Sequence, residues 1–226
     1  MNEIIKIKNL QKEFKTNNSV IKVLKNINLS LKTGELVALM GPSGSGKSTF
    51  LHLISLLDNP TKGQIFLLGK QIQNVPEKKR NLIIRNNISI IFQNNNLLSD
   101  FNSLENVAIP LIIRGEKYET SIQKAKKILS KVNLSHRLKQ FPSDLSGGEQ
   151  QRVAIARSIA SDTNIILADE PTGNLDEKTS QEVFSYFLKL RKNNKTILIA
   201  THNRDIAKKA DYTLRITNGV IKRVNV

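Results

Sequence analysis

The residues best suited to chemistry form a glycine-rich segment that ends in a lysine and two hydroxyl side chains. The segment has the phosphate-loop spacing G-x-x-x-x-G-K-[ST] and consists of Gly41, Pro42, Ser43, Gly44, Ser45, Gly46, Lys47, Ser48 and Thr49. Glycines let backbone N–H groups approach phosphate oxygens, and the following helix directs its positive end at the anion. We expect Lys47 to reach the β- and γ-phosphates and the Ser48 hydroxyl to ligate Mg²⁺.

Two consecutive acids follow an apolar run later in the chain. Residues 165–168 predict a buried strand, and Asp169 and Glu170 stand at its end. Uncompensated carboxylates are costly when they are buried, so a nearby cation explains the pair. We expect Asp169 to hold the magnesium ion and Glu170 to act as the general base on an attacking water.

A second glycine pair stands at the start of another predicted helix. The residues are Leu145, Ser146, Gly147, Gly148 and Glu149, and the helical pattern continues to Ala160. A hydroxyl, exposed N–H groups and a positive helix end form an anion site, although the same residues also suit an ordinary N-cap. One nucleotide has only one triphosphate, and the loop around Lys47 already binds it. Two anion sites in one chain therefore indicate that two chains share each nucleotide.

Apolar periodicity indicates the elements that position these groups. Short apolar runs at residues 35–40, 164–168 and 196–201 alternate with helical patterns at 48–57 and 178–192. Strands that alternate with helices predict βαβ units and a largely parallel sheet.

The remaining segments differ from this pattern. Residues 4–8 and 20–31 alternate apolar with polar side chains, as half-buried strands do, and residues 63–72 are typical of a hairpin. From about residue 95 to residue 160 the pattern is mostly helical, with breaks predicted at Pro110, Gly115 and Pro142. A helical block therefore interrupts the α/β core.

Composition excludes several classes of protein. Of 226 residues, 39% are hydrophobic and 24% are charged, which predicts a packed core rather than disorder. There is no cysteine and there are only three histidines, which excludes a disulfide framework or a thiolate metal site. The longest apolar run, 107–113, is far shorter than the roughly 18 residues of a membrane span. Because the N-terminal residues also lack a signal-peptide pattern, we expect a chain that stays in the cytoplasm.

The net charge of +16 leaves three alternatives open. The excess of basic residues could bind nucleic acid, could hold the protein against an anionic membrane surface, or could be a compositional bias that places lysine on solvated faces. The lysines are scattered in short groups and aromatic residues are only 5% of the chain, which argues against a base-stacking platform. No nucleic-acid partner is therefore expected.

Taken in order, these motifs resemble those of the ATP-binding cassette (ABC) ATPases. The motifs are the phosphate loop, LSGGEQQR at 145–152, the strand that ends in two acids and a later histidine. The resemblance covers essentially the whole chain. The resemblance implies an ATPase with ATP and Mg²⁺ as cofactors. It also implies an α/β fold in which a P-loop NTPase (RecA-like) core has an N-terminal antiparallel β subdomain and an inserted α-helical subdomain. The single domain 1–226 then divides into a core at 1–93 and 162–226 and a helical part with the signature motif at 94–161.

The same resemblance gives further roles to single residues. Phe14 matches the aromatic residue that stacks on adenine, and Gln93 matches the glutamine that contacts Mg²⁺ and the attacking water. Asp176 lies in the loop that crosses the dimer interface, and His202 matches the switch histidine that hydrogen-bonds the γ-phosphate. Because every catalytic position is filled, a cassette that hydrolyses ATP is implied, with each ATP held between two copies arranged head to tail.

Two positions depart from the usual family pattern. Glu149 stands where the commonest signature has Gln, and Asn203 stands where most members have Asp. Neither departure removes a group that reacts.

The segment after Gln93, residues 96–113, is similar to one subgroup of the family. That subgroup comprises cassettes of lipoprotein release, macrolide export and the division protein FtsE, and the segment is most similar to the first. The resemblance implies a peripheral ATPase on the cytoplasmic face of the inner membrane that works with two integral membrane subunits to release lipoproteins. An FtsE-like ATPase, a macrolide-exporter cassette and a soluble nucleic-acid-linked ATPase remain the alternatives.

Overall fold

A computed structural model describes residues 2–16, 19–73 and 75–224. The strands are β1 Glu3–Thr16, β2 Ser19–Lys32, β3 Leu36–Met40, β4 Lys62–Leu67, β5 Lys70–Gln71, β6 Ile88–Ile91, β7 Ile165–Asp169, β8 Thr196–Ala200, β9 Tyr212–Thr217 and β10 Val220–Val224. The α-helices are α1 Lys47–Ile54, α2 Glu77–Asn87, α3 Ser103–Ile113, α4 Tyr118–Lys131, α5 Gly147–Ala160, α6 Glu177–Lys192 and α7 Arg204–Lys208. A 3₁₀ turn covers Pro142–Asp144.

The strands form two sheets of different kinds. An antiparallel sheet has the order β2-β1-β4-β5, and a six-stranded sheet has the order β10-β9-β3-β8-β7-β6. In the second sheet, β9, β3, β8, β7 and β6 are parallel, and only β10 is antiparallel. Strands β3 and β8 are buried along their whole length, as expected for parallel strands covered on both faces. The predicted α/β core with an N-terminal antiparallel sheet is confirmed.

The predicted helical block lies between β6 and β7 and consists of α3, α4 and α5. These helices pack through fully buried apolar side chains, among them Val107, Ala125, Leu129 and Val153. The helical insertion is thus confirmed, whereas the exact division at residues 94 and 161 stays a prediction. None of the helices in the described ranges has the length and apolar character needed to cross a membrane.

Three predicted boundaries are wrong, one of them in a strand: β1 continues to Thr16 rather than ending at residue 8. Helix α3 does not break at Pro110 but continues to Ile113. Proline in the last turn removes only one intrahelical hydrogen bond, while the burial of Val107 and Leu111 stabilises the helix on either side of it. Helix α1 ends at Ile54 rather than at residue 57, because Leu56 has a left-handed backbone with φ of 66°.

Several elements were not predicted, namely helix α2, strand β6, helix α7 and the β9–β10 hairpin. Helix α2 contains no buried residue, so its sequence has no apolar periodicity that would indicate a helix. The β9–β10 hairpin turns at Asn218 and Gly219, which have φ of 50° and 78°. Asn-Gly is a strong hairpin signal, since both residues accept positive φ, and the turn could have been predicted from it.

Candidate active site

The parallel sheet brings the predicted catalytic groups to one edge. The phosphate loop follows β3, His202 follows β8, Asp169 and Glu170 close β7, and Gln93 follows β6. These four strands are neighbours in the order β3-β8-β7-β6 and run in the same direction. Their carboxyl ends therefore meet at the edge where α/β sheets bind ligands.

The phosphate loop depends on a glycine where helix α1 begins. Gly46 is the N-cap of α1 and has φ of 101°, a backbone conformation that strains other residues. A Cβ atom on Gly46 would lie 3.0 Å from Val23 and 3.1 Å from Leu24, both on β2. Left-handed backbone and close packing against the antiparallel sheet thus both require glycine at this position.

Lys47 lies inside the curve of the loop. Its Nζ donates hydrogen bonds to the carbonyl oxygens of Gly41 (2.9 Å) and Pro42 (3.2 Å). The same Nζ lies 3.8 Å from Oε1 of Glu170, and both side chains are nearly buried. A phosphate in the loop would compete with these oxygens for the ammonium group.

Glu170 lies between the lysine and the histidine. Its Oε2 is 2.9 Å from Nδ1 of His202 and accepts a hydrogen bond from the His202 N–H at 3.3 Å. Glu170 has φ of 45°, and its own N–H donates to the carbonyl of Ala200 on β8. Left-handed backbone at a non-glycine residue is strained, and such strain is concentrated at functional sites.

One open cavity of about 540 Å³ contains most of the predicted site. It is lined by Gly41, Pro42, Ser43, Gly44, Gly46, Lys47, Ser48, Thr49, Gln93, Asp169, Glu170, Gly173, His202 and Val23. Val23 was missed because it is an ordinary apolar strand residue with no sequence signal of function. The Ser45 side chain does not line the cavity; its hydroxyl is buried beneath the loop.

The oxygen donors in this cavity suit Mg²⁺. Ser48, Gln93 and Asp169 supply a hydroxyl, an amide and a carboxylate, the oxygen ligands that hard cations prefer. Within the described ranges, no cluster of three or more His, Cys, Asp or Glu residues could hold a metal alone. The donor set therefore fits Mg²⁺ that takes part of its ligands from nucleotide phosphates.

The signature residues lie around a different cavity, of about 500 Å³, which Asp176 also lines. The Ser146 hydroxyl accepts a hydrogen bond from the Glu149 N–H at 3.3 Å, and the Glu149 carboxylate accepts one from the Ser146 N–H at 2.9 Å. This reciprocal capping box begins helix α5, so the N-cap interpretation is correct for the helix itself. Leu145 is buried in the helical core and anchors the motif.

Asp176 begins helix α6, which packs against the signature. Its carboxylate accepts a hydrogen bond from the Thr179 N–H at 3.0 Å, and bonds from the hydroxyl and N–H of Thr179 lower the pKa of Asp176. A Cβ on Gly148 would lie 2.7 Å from the methyl carbon of Thr179. Glycine at this position therefore lets the signature helix α5 and helix α6 approach closely.

Phe14 lies apart from both cavities. The ring is exposed on β1, and the Nζ of Lys12 lies 4.9 Å from its centroid. In one chain, the structure thus brings together the phosphate loop, Gln93, Asp169, Glu170 and His202. Phe14 does not line the phosphate-loop cavity, and of the signature residues Gly147 alone lines a smaller cavity shared with Gln93 and Glu170.

Arg157 is a site residue that sequence reasoning missed. From helix α5 its guanidinium donates hydrogen bonds to the carbonyls of Asn95 (2.9 Å) and Asn96 (2.8 Å). Both asparagines have left-handed backbone, with φ of 59° and 44°, and they follow Gln93 closely. Arg157 therefore fixes the loop of Gln93 to the signature helix, although no local pattern in the sequence indicates this contact.

Comparison with known proteins agrees with this geometry. The family model described as ABC transporter matches residues 24–173. A "Lipoprotein-releasing system ATP-binding protein LolD" from Rickettsia typhi is 47% identical over 97% of this chain and 98% of its own length. The LolD of Rickettsia prowazekii is 48% identical over 98% of this chain and 99% of its own, and that of Zymomonas mobilis is 44% identical over 96% and 94%.

Solved structures show the same fold. A dimeric bacterial ABC transporter cassette superposes with a TM-score of 0.92 and 37% identity, over 98% of this chain and 99% of the other. The same cassette in a post-hydrolysis state bound to ADP and Pi superposes equally well, at 36% identity. The chain therefore belongs to the ABC transporter family of ATP-binding proteins.

Proposed function

We propose that this protein is the ATP-hydrolysing subunit of an inner-membrane ABC complex that releases lipoproteins for transport to the outer membrane. The observation that carries this proposal is the identity of 44–48% to LolD proteins over nearly the whole chain. The cavity that joins most of the phosphate loop to Gln93, Asp169, Glu170 and His202 supports the ATPase chemistry.

The chemistry follows from the position of Glu170. Lys47 neutralises phosphate charge, and Glu170 accepts a proton from the water that attacks the γ-phosphorus. The bond from that phosphorus to the β,γ-bridging oxygen breaks, and ADP leaves with the electron pair. His202 lies 2.9 Å from the Glu170 carboxylate and positions it, and it donates to the γ-phosphate. Mg²⁺ bound by Ser48, Gln93 and Asp169 would neutralise further phosphate charge.

A second copy completes the site in this proposal. Because the signature cavity is separate from the phosphate-loop cavity within one chain, Ser146, Gly147, Gly148 and Glu149 face the nucleotide of the partner copy, and the buried Leu145 anchors them. Asp176 crosses the interface, and Phe14 stacks on the adenine. The dimeric form of the similar bacterial cassette supports this arrangement.

The membrane partner docks on the helical insertion. A groove of about 260 Å³ between α2, α3 and α5 combines apolar side chains with arginines: Ile84, Pro110, Ile113, Arg85, Arg114 and Arg157. A cytoplasmic helix with apolar and acidic side chains fits this lining. We propose that the groove on each of the two copies binds one of two LolC/LolE-like membrane subunits, which hold the protein on the cytoplasmic face of the inner membrane.

Depletion in the native bacterium tests the cellular role. We expect lipoproteins to accumulate in the inner membrane, and we expect tagged protein solubilised in mild detergent to co-purify with two polytopic subunits that have large periplasmic domains. Filamentous cells and recovery of a single division-type membrane protein would instead assign the cassette to septation, with its ATPase chemistry unchanged.

Substitution of the loop lysine tests the nucleotide site directly. In Lys47→Ala we expect the affinity for ATP to fall about 10- to 100-fold, the value of a lost charge-assisted hydrogen bond. Titration calorimetry measures this change, with Lys70→Ala, an exposed lysine on β5, as the matched control. Equal affinities in the two variants would show that Lys47 does not bind the phosphates.

A further inference from the structure

An ion pair lies beside the signature residues. The Nε of Arg137 donates a 2.7 Å hydrogen bond to Oε1 of Glu149, whose other oxygen, Oε2, accepts from the Ser146 N–H. The Glu149 side chain is only 11% exposed. Each carboxylate oxygen therefore has one partner, and the two bonds fix the carboxylate between the cap of α5 and the arginine.

The charge of Glu149 has opposite effects on the helix and on a nucleotide. A carboxylate in the first turn stabilises α5 through the helix dipole and the capping box. The same negative charge lies at the edge of a cavity that receives phosphates, where it repels them. Burial raises the pKa of Glu149, but the hydrogen bonds from Ser146 and Arg137 outweigh burial and hold that pKa below its usual value.

Other cations near the carboxylate are less suited to compensate it. His136 approaches Oε1 only to 3.9 Å and has an exposed ring. Arg152 lines the same cavity, but its guanidinium lies 3.9 Å from Glu182 on α6. Within the described ranges, Arg137 is thus the side chain that forms a short hydrogen bond with Oε1 of Glu149.

The backbone around Arg137 is anchored. Leu138 and Gln140 accept hydrogen bonds through their carbonyls from the N–H groups of Leu104 (3.0 Å) and Ser103 (2.9 Å) at the start of α3. The guanidinium therefore projects from a fixed segment and lines the signature cavity.

We propose that Arg137 is a positioning residue for the signature motif. It neutralises Glu149 and fixes its carboxylate, so that the cap on Ser146 is kept without a net negative charge facing the partner's nucleotide. This inference rests on the proposed sharing of ATP between two copies.

Dimerisation driven by ATP tests the pair. In the Glu170→Gln background, which retains bound ATP, we compare Arg137→Gln, Glu149→Gln and the double variant by sedimentation velocity. Arg137→Gln leaves a buried carboxylate without its partner, and we expect ATP-dependent dimer association to weaken about tenfold or more. In the Glu149→Gln variant no charge needs compensation, and the same arginine substitution should change association less than about threefold.

Controls separate positioning from folding and from nucleotide binding. Lys139→Gln removes an exposed cation two residues away that has no ion pair among the described residues, and it should leave association unchanged. ATP affinity of the monomer should stay the same in all variants, since Arg137 does not line the phosphate-loop cavity. If Arg137→Gln does not fold, Arg137→Lys is compared instead, with Glu149 present and in the Glu149→Gln variant. This substitution retains the positive charge but displaces it.

Each outcome has a distinct meaning. No effect of Arg137→Gln, or an equal effect in the presence of Glu149 and in the Glu149→Gln variant, overturns the role of Arg137. Failure of the Glu170→Gln parent to dimerise with ATP overturns the shared site itself, and this inference with it.

Discussion

Replacing Glu170 by glutamine lowers the rate of ATP hydrolysis by about 10²- to 10⁴-fold, the range that a positioned general base contributes. Glutamine has nearly the same shape and still fits between Lys47 and His202, but its amide cannot take the proton of the attacking water. ATP binding is therefore expected to persist, and the ATP-bound dimer should stay closed. Phosphate release in a single turnover and nucleotide affinity, measured on the same preparation, separate the two effects.

A control substitution at another carboxylate shows whether the effect on ATP hydrolysis is specific to Glu170. Glu77→Gln removes a carboxylate from the exposed start of α2 and should hydrolyse ATP at the unaltered rate. Wild-type turnover in Glu170→Gln would exclude Glu170 as the base.

Replacing Asn106 by alanine lowers the free energy of unfolding by about 3–5 kcal/mol, because several buried polar groups lose their partner. Asn106 is fully buried on α3, and its amide joins the helix to the segment before it. The side-chain oxygen accepts from the Leu98 N–H at 2.9 Å. The amide nitrogen donates to the carbonyls of Leu98 (3.0 Å), Phe101 (2.8 Å) and Asn102 (3.1 Å).

Urea denaturation measures this loss of stability. Asn164→Ala, an exposed asparagine before β7, is the control and should change stability by less than about 0.5 kcal/mol. A loss below about 1 kcal/mol for Asn106→Ala would mean that water replaces the amide, and that the segment 98–102 does not depend on it.

Several elements with an apolar face were predictable from the sequence to within a residue or two, although β1 continues to Thr16 rather than ending at residue 8. The strand predicted at 35–40 is β3 at Leu36–Met40, and the helix predicted at 178–192 is α6 at Glu177–Lys192. An element that is buried on one face or on both has a pattern of apolar residues that is visible in the sequence. Helix α2 has no buried face, so its sequence shows no such periodic pattern. At Pro110 the packing of the helical block keeps α3 helical, although proline disfavours the interior of a helix.

The candidate site divides in the same way. The phosphate loop and the acids Asp169 and Glu170 are local patterns whose chemistry follows from residue type and spacing. Arg157 acts through the backbone of the loop after Gln93, and Arg137 acts through the carboxylate of Glu149. Both roles therefore depend on contacts that only the folded chain makes. The approach of Glu170 to Lys47 likewise depends on the strand order, which the sequence pattern does not specify.

The position of β3 in the sheet determines when, during synthesis, the phosphate loop can form. Strand β1 pairs with β2 and with β4, and all three strands are complete once the ribosome has made Leu67. Strand β3 pairs instead with β8 and β9, so it has no neighbour in its sheet until the chain has grown to Ala200 at the end of β8. Contacts between such distant segments form late, because closing the long intervening loop is slow. ATP can therefore stabilise only chains that extend past β8, and shorter nascent fragments gain nothing from it.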